Sequence, residues 1–155
     1  MGSISVLVCA LELLGRSAVS MPPIKVLATP PAGVSVNAEA FVRADEGIIY
    51  VLAPGAAYRH ARCDERRSLV KLASVLVHEE WHIRHGADER GAYEAQLGTL
   101  LRLGMQPDSA VYIGVVRSMN WVLKARERDA ANARRAAATS DRAIADAGPV
   151  PSPGR

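Results

Sequence analysis

The longest stretch of helical hydrophobic period in this chain lies between Asp64 and His85. Its apolar residues recur three or four positions apart, which places them on one face of a helix. These residues are Leu69, Leu72, Ala73, Leu76 and Val77. Asp64 is a residue type that favours a helix N-cap, and Gly86 suits the C-terminal cap. The sequence therefore predicts one long helix with an apolar stripe, ending at His85.

Three short strands are predicted before this helix. The first, Ile24–Ala28, follows two prolines that exclude a helix. The second and third, Ala38–Arg43 and Gly47–Leu52, are joined by a turn over residues 44–47. These segments predict a small, mostly antiparallel sheet of about three strands.

Three further helices are predicted outside the long one. The apolar segment 4–15 is interpreted as a core helix rather than a signal peptide, because no Lys or Arg precedes it and Glu12 lies inside it. Another helix runs from Asp88 to Leu103, and a third begins near Asp108. Together with the strands, they predict an α+β fold in which the sheet packs against three to four helices.

The chain of 155 residues has the length of one ordinary domain. We expect a single domain over residues 1–135. Beyond Lys124 the chain is rich in Arg and Ala, so a helix there would have little apolar surface to bury. Residues 136–155, which include Gly148-Pro-Val-Pro-Ser-Pro-Gly154, are predicted to be a disordered tail.

Composition excludes some classes of partner. The net charge of +3 is only mildly basic, and no cluster of Lys and Arg is interleaved with aromatic residues. With one Phe, two Trp and four Tyr, the chain has few side chains on which bases could stack. The apolar N-terminal segment is too short to span a bilayer. We therefore expect neither a nucleic acid nor a membrane as partner.

The two cysteines, Cys9 and Cys63, match no metal-binding or redox spacing. Sequence cannot show whether a fold brings them together, and buried free thiols in a reducing compartment are the expected state. The sequence accordingly favours a cytoplasmic enzyme and leaves secretion open.

The residues with the clearest chemical potential lie at the end of the long helix. His78 and His82 are four positions apart, so their imidazoles lie on one helix face and can share one Zn²⁺ ion. Glu79 falls beside such a metal, where its carboxylate can take a proton from a coordinated water. Three of the four histidines, the third being His85, occur in this one stretch. The sequence predicts a catalytic zinc site with Glu79 as general base.

His78-Glu79-x-x-His82, followed by Glu89-Arg-Gly-Ala-Tyr93, resembles the gluzincin metallopeptidases. In that group the motif helix is followed by a helix that carries Glu-x-x-Ala. The resemblance covers about residues 38–104 and implies a zincin-like fold with Glu89 as the third zinc ligand. It also implies an edge strand before the motif helix, to which the backbone of a substrate adds. Gly47–Leu52 is the corresponding segment here.

The spacing of the residues leaves the third ligand open among three acidic side chains. These candidates are Glu89, Glu94 and Asp88. If the chain reverses near Gly86, Glu89 lies level with His82 and Glu94 lies level with His78. Asp88 holds the ligand position of the metzincin spacing, although that pattern requires a glycine at position 85, where this chain has His85. A carboxylate with two histidines leaves a fourth position for water, as a catalytic site requires.

Neighbouring side chains are predicted to have structural roles. Tyr93 could donate to an oxyanion, but packing beside Leu97 is the favoured interpretation. Trp81 is expected to pack, Glu80 to face solvent, and His85 to be an exposed residue near a helix end.

The resulting hypothesis is a zinc metallopeptidase that hydrolyses a peptide or protein substrate. A hydrolase of other substrates would use the same residues. The alternative is a non-catalytic, zincin-like helical binding protein whose Arg/Ala-rich tail binds an acidic partner. The sequence gives no indication of oligomeric state.

Overall fold

A computed structural model describes residues 4–43 and 45–146, and these residues form an α+β fold. The elements, in chain order, are α1 (Ile4–Leu13), β1 (Ile24–Leu27), β2 (Ala40–Arg43), β3 (Ile48–Leu52), α2 (Ala56–His60), α3 (Arg66–His85), α4 (Glu89–Arg102) and α5 (Ala110–Asp146). The described part thus has five helices where three or four were predicted. The additional helix, α2, spans only five residues and is too short to show a helical period. Ala44, in the predicted turn, and residues 147–155, in the predicted tail, lie outside the described residues.

The three strands form a mixed sheet in the order β1-β3-β2. β3 is parallel to β1, with Ile49 opposite Ile24, and antiparallel to β2, with Val51 opposite Ala40. The prediction of a mostly antiparallel sheet is therefore wrong for one of the two pairings. The physical reason is the long connection from β1 to β3, which contains β2 and gives the chain enough length to return in a parallel direction.

β3 is the central strand, which corrects the expectation that residues 47–52 form an edge. Both sides of the strand carry ladder pairings, and Ile49–Leu52 are buried. A strand with both edges paired has no free backbone groups for an added peptide. The free edges of this sheet belong to β1 and β2.

α3 is the helix around which the core is built. Leu72 and Leu76, in its apolar stripe, are fully buried among residues of the sheet and α1. Ala10 and Leu11 of α1 belong to the same core, which confirms the prediction of a core helix at this position. A second apolar cluster joins α3 to α4 and to the first turns of α5. Its buried members are Val70, Leu97, Leu100 and Val115.

The chain divides into two compact units, residues 1–119 and residues 120–155. Within the second unit the described residues continue α5 as far as Asp146, and Trp121 is largely exposed. The predicted domain boundary at residue 135 stays a prediction. Among the described residues, no helix combines the length and apolar character needed to cross a membrane.

Cys9 and Cys63 form a disulfide, with their Cα atoms 5.7 Å apart. The expectation of free thiols is therefore wrong. The two residues are separated by 54 positions, and their meeting depends on α1 packing against the start of α3. This proximity is a product of tertiary structure, so no spacing rule could have revealed it.

Candidate metal centre

His78 and His82 lie one turn apart near the end of α3, and their Nε2 atoms face each other at 3.2 Å. Oε2 of Glu89, in the first residue of α4, lies 3.8 Å from Nε2 of His78 and 3.6 Å from Nε2 of His82. Within residues 4–43 and 45–146, this is the one group of three His, Cys, Asp or Glu side chains close enough to hold a metal ion.

The structure brings Glu89, rather than its two rivals, to the histidines. Glu94 is exposed on α4. The carboxylate of Asp88 caps α4 by accepting from the backbone N–H of Gly91 at 3.1 Å, and it also accepts from Nε1 of Trp81 at 3.3 Å. Asp88 is therefore engaged as a helix cap, whereas Glu89 is directed at the imidazoles.

Hydrogen bonds to the outer nitrogen of each imidazole determine which nitrogen faces Glu89. Nδ1 of His82 lies 2.8 Å from the carbonyl oxygen of Gly86, which can only accept, so Nδ1 carries the proton. Nδ1 of His78 lies 3.1 Å from Oε1 of Gln96. The amide of Gln96 is oriented by Ser74, whose hydroxyl donates to the carbonyl oxygen of Lys71 at 2.8 Å and accepts from Nε2 of Gln96 at 3.4 Å. Nε2 of neutral His78 is therefore an unprotonated acceptor, and Nε2 of His82 becomes one when that imidazole is neutral.

Three potential ligand atoms thus converge on one point, and their spacing fits Zn²⁺. Tetrahedral zinc with bonds of about 2.0–2.1 Å holds its ligand atoms about 3.3–3.5 Å apart. The observed separations of 3.2, 3.6 and 3.8 Å require the Glu89 carboxylate to move by only a few tenths of an ångström. A bound cation would take the place of the proton that His82 can hold between these atoms.

The electrostatics of the two histidines differ. Burial is the main factor that lowers the pKa of His78 to about 4, and the neighbouring His82 lowers it further. The neighbouring Glu89 carboxylate is the main factor that raises the pKa of His82, while partial burial opposes it. His78 is therefore neutral at physiological pH, the state in which an imidazole binds a metal.

Glu79 is 7% exposed and lies beside the cluster. Burial raises the pKa of its carboxyl to about 7, with a smaller contribution in the same direction from Glu89 and an opposing one from His82. A carboxyl with a pKa near neutrality can both accept and release a proton at physiological pH, which suits a general base.

Tyr93 borders the cluster and also packs in the core. Its ring meets the ring of His78 edge-on, with centroids 4.6 Å apart, and it contacts the apolar cluster that contains Leu97. Burial, followed by the charges of Glu89 and Glu79, raises the pKa of its phenol to about 12. The phenol therefore keeps its proton and remains a hydrogen-bond donor. The packing role agrees with prediction, and the oxyanion role stays a hypothesis.

Glu80 is buried, so the prediction that it faces solvent is wrong. It is 4% exposed and forms ion pairs with Arg16 and Arg84. Arg16 follows α1, and only the packing of α1 on α3 brings it to this carboxylate. His85 is exposed as predicted, and its ring stacks on Trp81 with centroids 4.0 Å apart.

Sequence reasoning missed Gln96 and Ser74, which connect to His78 from two helices. A signal for both was present in the spacing. Ser74 precedes His78 by four residues, and Gln96 follows Glu89 by seven, so each shares a helix face with a metal-facing side chain. Polar residues on the inner stripes of two packed helices indicate a buried hydrogen-bond network.

We compared the chain with known protein families, curated proteins and solved structures, and none of them matches it. The geometry of the site is therefore the basis on which a function can be assigned to this chain.

Proposed function

We propose that this chain is a zinc-dependent hydrolase of zincin-like fold, and specifically a metallopeptidase. His78, His82 and Glu89 would hold the ion, and Glu79 would act as general base. The observation that carries this proposal is the convergence of two Nε2 atoms and one carboxylate oxygen within 3.8 Å of one another. Two histidines and one carboxylate are also a ligand set that leaves a coordination position free for a reacting water.

Zinc bound at such a site lowers the pKa of a coordinated water towards about 7 and polarises a carbonyl group. The role of Glu79 is proton transfer. Its carboxylate takes one proton from the attacking water while the oxygen bonds to the carbonyl carbon, and it returns that proton to the leaving nitrogen as the C–N bond breaks.

The position of β3 limits how a peptide substrate can bind. Since β3 is paired on both sides, a substrate backbone that extends the sheet has to add to β1 or β2. β2 packs against α3, the helix that carries the histidines. We propose the free edge of β2 (Ala40–Arg43) as the substrate-binding strand, in place of residues 47–52.

The disulfide also bears on where the enzyme works. Disulfides persist in oxidising compartments and are rare in the cytosol. Because Cys9 and Cys63 are linked, we propose an oxidising compartment as the site of action, rather than the cytoplasm that the sequence favours.

Metal analysis tests the site independently of any substrate. We expect about one zinc per chain in the purified wild type and loss of zinc in the His78→Ala and Glu89→Ala variants. Glu94→Ala and His85→Ala are matched controls, because they remove the same residue types from exposed positions nearby. Equal zinc in Glu89→Ala and the wild type would exclude Glu89 as a ligand.

Activity is tested on the zinc-loaded chain with a mixed library of fluorogenic peptides. Glu79→Gln should abolish hydrolysis while zinc stays bound, and Glu94→Gln should leave hydrolysis unchanged. Full activity of Glu79→Gln would refute the mechanism. Stoichiometric zinc without hydrolysis of any peptide would favour the non-catalytic binding protein or a hydrolase of other substrates.

A further inference from the structure

We propose that Gln96 is a positioning residue. It works with Ser74 to hold His78 in the tautomer whose unprotonated Nε2 faces the position where His82 and Glu89 would also bind the metal. This inference rests on the proposed zinc site. It adds a function for two buried polar residues that are not among the three metal-facing side chains.

The direction of each hydrogen bond in this network follows from chemistry. The Ser74 hydroxyl has one proton, and it is directed to the carbonyl oxygen of Lys71. Ser74 can therefore only accept from Gln96, so the amide presents its NH₂ group to Ser74 and its oxygen to His78. An amide oxygen can only accept, which assigns the proton of His78 to Nδ1.

Burial makes this arrangement costly to change. Ser74 is fully buried and Gln96 is 6% exposed. Rotating the amide by half a turn would place its NH₂ group against Nδ1 of His78 and its oxygen against the Ser74 oxygen, leaving buried groups without a matched partner. A buried unmatched polar group costs about 1–3 kcal/mol, so the network favours one orientation strongly.

The network also joins the two helices of the site. Ser74 and His78 belong to α3, whereas Gln96 belongs to the same helix as Glu89. One set of hydrogen bonds thus fixes the imidazole and relates it to the helix that supplies the carboxylate. Partners of this kind, bound to the outer nitrogen of a ligating histidine, typically contribute 10–100-fold to metal affinity.

Nitrogen NMR of the metal-free full chain tests the tautomer directly. We expect the wild type to show His78 protonated at Nδ1, and Gln96→Leu to lose this preference because no acceptor faces Nδ1. Gln96→Glu restores an acceptor and should restore the tautomer. A wild-type His78 protonated at Nε2 would overturn the proposal.

Zinc affinity, measured by competition with a chromophoric chelator, gives the second readout. Gln96→Leu should weaken binding 10–100-fold, Gln96→Glu should restore it, and Gln106→Leu, an exposed glutamine, should have no effect. Thermal unfolding of the metal-free variants separates positioning from general loss of structure. Unchanged affinity and an unchanged tautomer in Gln96→Leu would refute the inference. Absence of zinc binding by a wild type with the expected tautomer would instead refute the proposed function.

Discussion

The Cys9–Cys63 disulfide should contribute a large part of the stability of this chain. It closes a loop with a sequence separation of 54 residues. A cross-link stabilises mainly by reducing the conformational entropy of the unfolded chain. For a loop of this length, the loss is about 14 cal/mol/K, or about 4 kcal/mol at 25 °C. Small domains have a total unfolding free energy of about 5–15 kcal/mol, so removing the bond should strongly destabilise the fold.

The assay is urea unfolding of the metal-free wild type and of the Cys9→Ala/Cys63→Ala double variant. We expect the free energy of unfolding to fall by about 4 kcal/mol. The reduced wild type is the matched control, because it lacks the bond but keeps both sulfur atoms in the core. If reduction and double substitution give the same decrease, the effect belongs to the cross-link. Two titratable thiols in the native chain purified without a reductant would contradict the reasoning. A decrease of less than about 1 kcal/mol in the free energy of unfolding would contradict it as well.

Three further predictions concern the site and its surroundings. Gly91→Ala should destabilise the chain by about 1–3 kcal/mol and weaken zinc binding, because a Cβ there would clash with Oδ2 of Asp88 and lie 2.6 Å from Cζ2 of Trp81. Gly98→Ala, whose Cβ would meet no atom within 4 Å, is the control for thermal unfolding and chelator competition. Glu80→Gln should lower the free energy of unfolding in urea by about 1–2 kcal/mol, since it removes the charge that two arginines face, and a neutral result would show that these ion pairs contribute nothing. Zinc at 100 times its dissociation constant should stabilise the wild type by about 2.7 kcal/mol in thermal unfolding and leave His82→Ala unchanged, and equal stabilisation of both would place the zinc elsewhere.

The local elements of the fold could be predicted from the sequence, but the arrangement of the strands could not. The period of the apolar residues gave α3 to within two residues of its observed start, where Glu65 rather than Asp64 is the N-cap. Gly86 ends the helix as expected, with a positive φ of 68°. Strand order depends on which surfaces the sheet buries, and β3 became central because its run of apolar residues is covered on both sides.

The site shows the same division between local and tertiary information. Helical spacing was enough to place His78 and His82 on one face, because that relation depends only on the geometry of one helix. The disulfide, the ion pairs of Glu80 and the partner of His78 all join segments that are distant in sequence. No local pattern specifies such contacts, so they became visible only in the folded chain.

The choice among the three acidic candidates shows how tertiary contacts resolve an ambiguity that spacing leaves open. Only six residues separate His82 from Glu89, so the connection between α3 and α4 has to be tight. Asp88 makes this possible, because its carboxylate both caps α4 and accepts from the indole of Trp81 in α3. The absence of a side chain at Gly91 lets the indole approach α4 at this point. With Asp88 engaged in joining the helices, the next residue, Glu89, begins α4 facing the imidazoles. Of the three candidates, the one nearest to His82 in sequence therefore has a structural role and does not face the histidines.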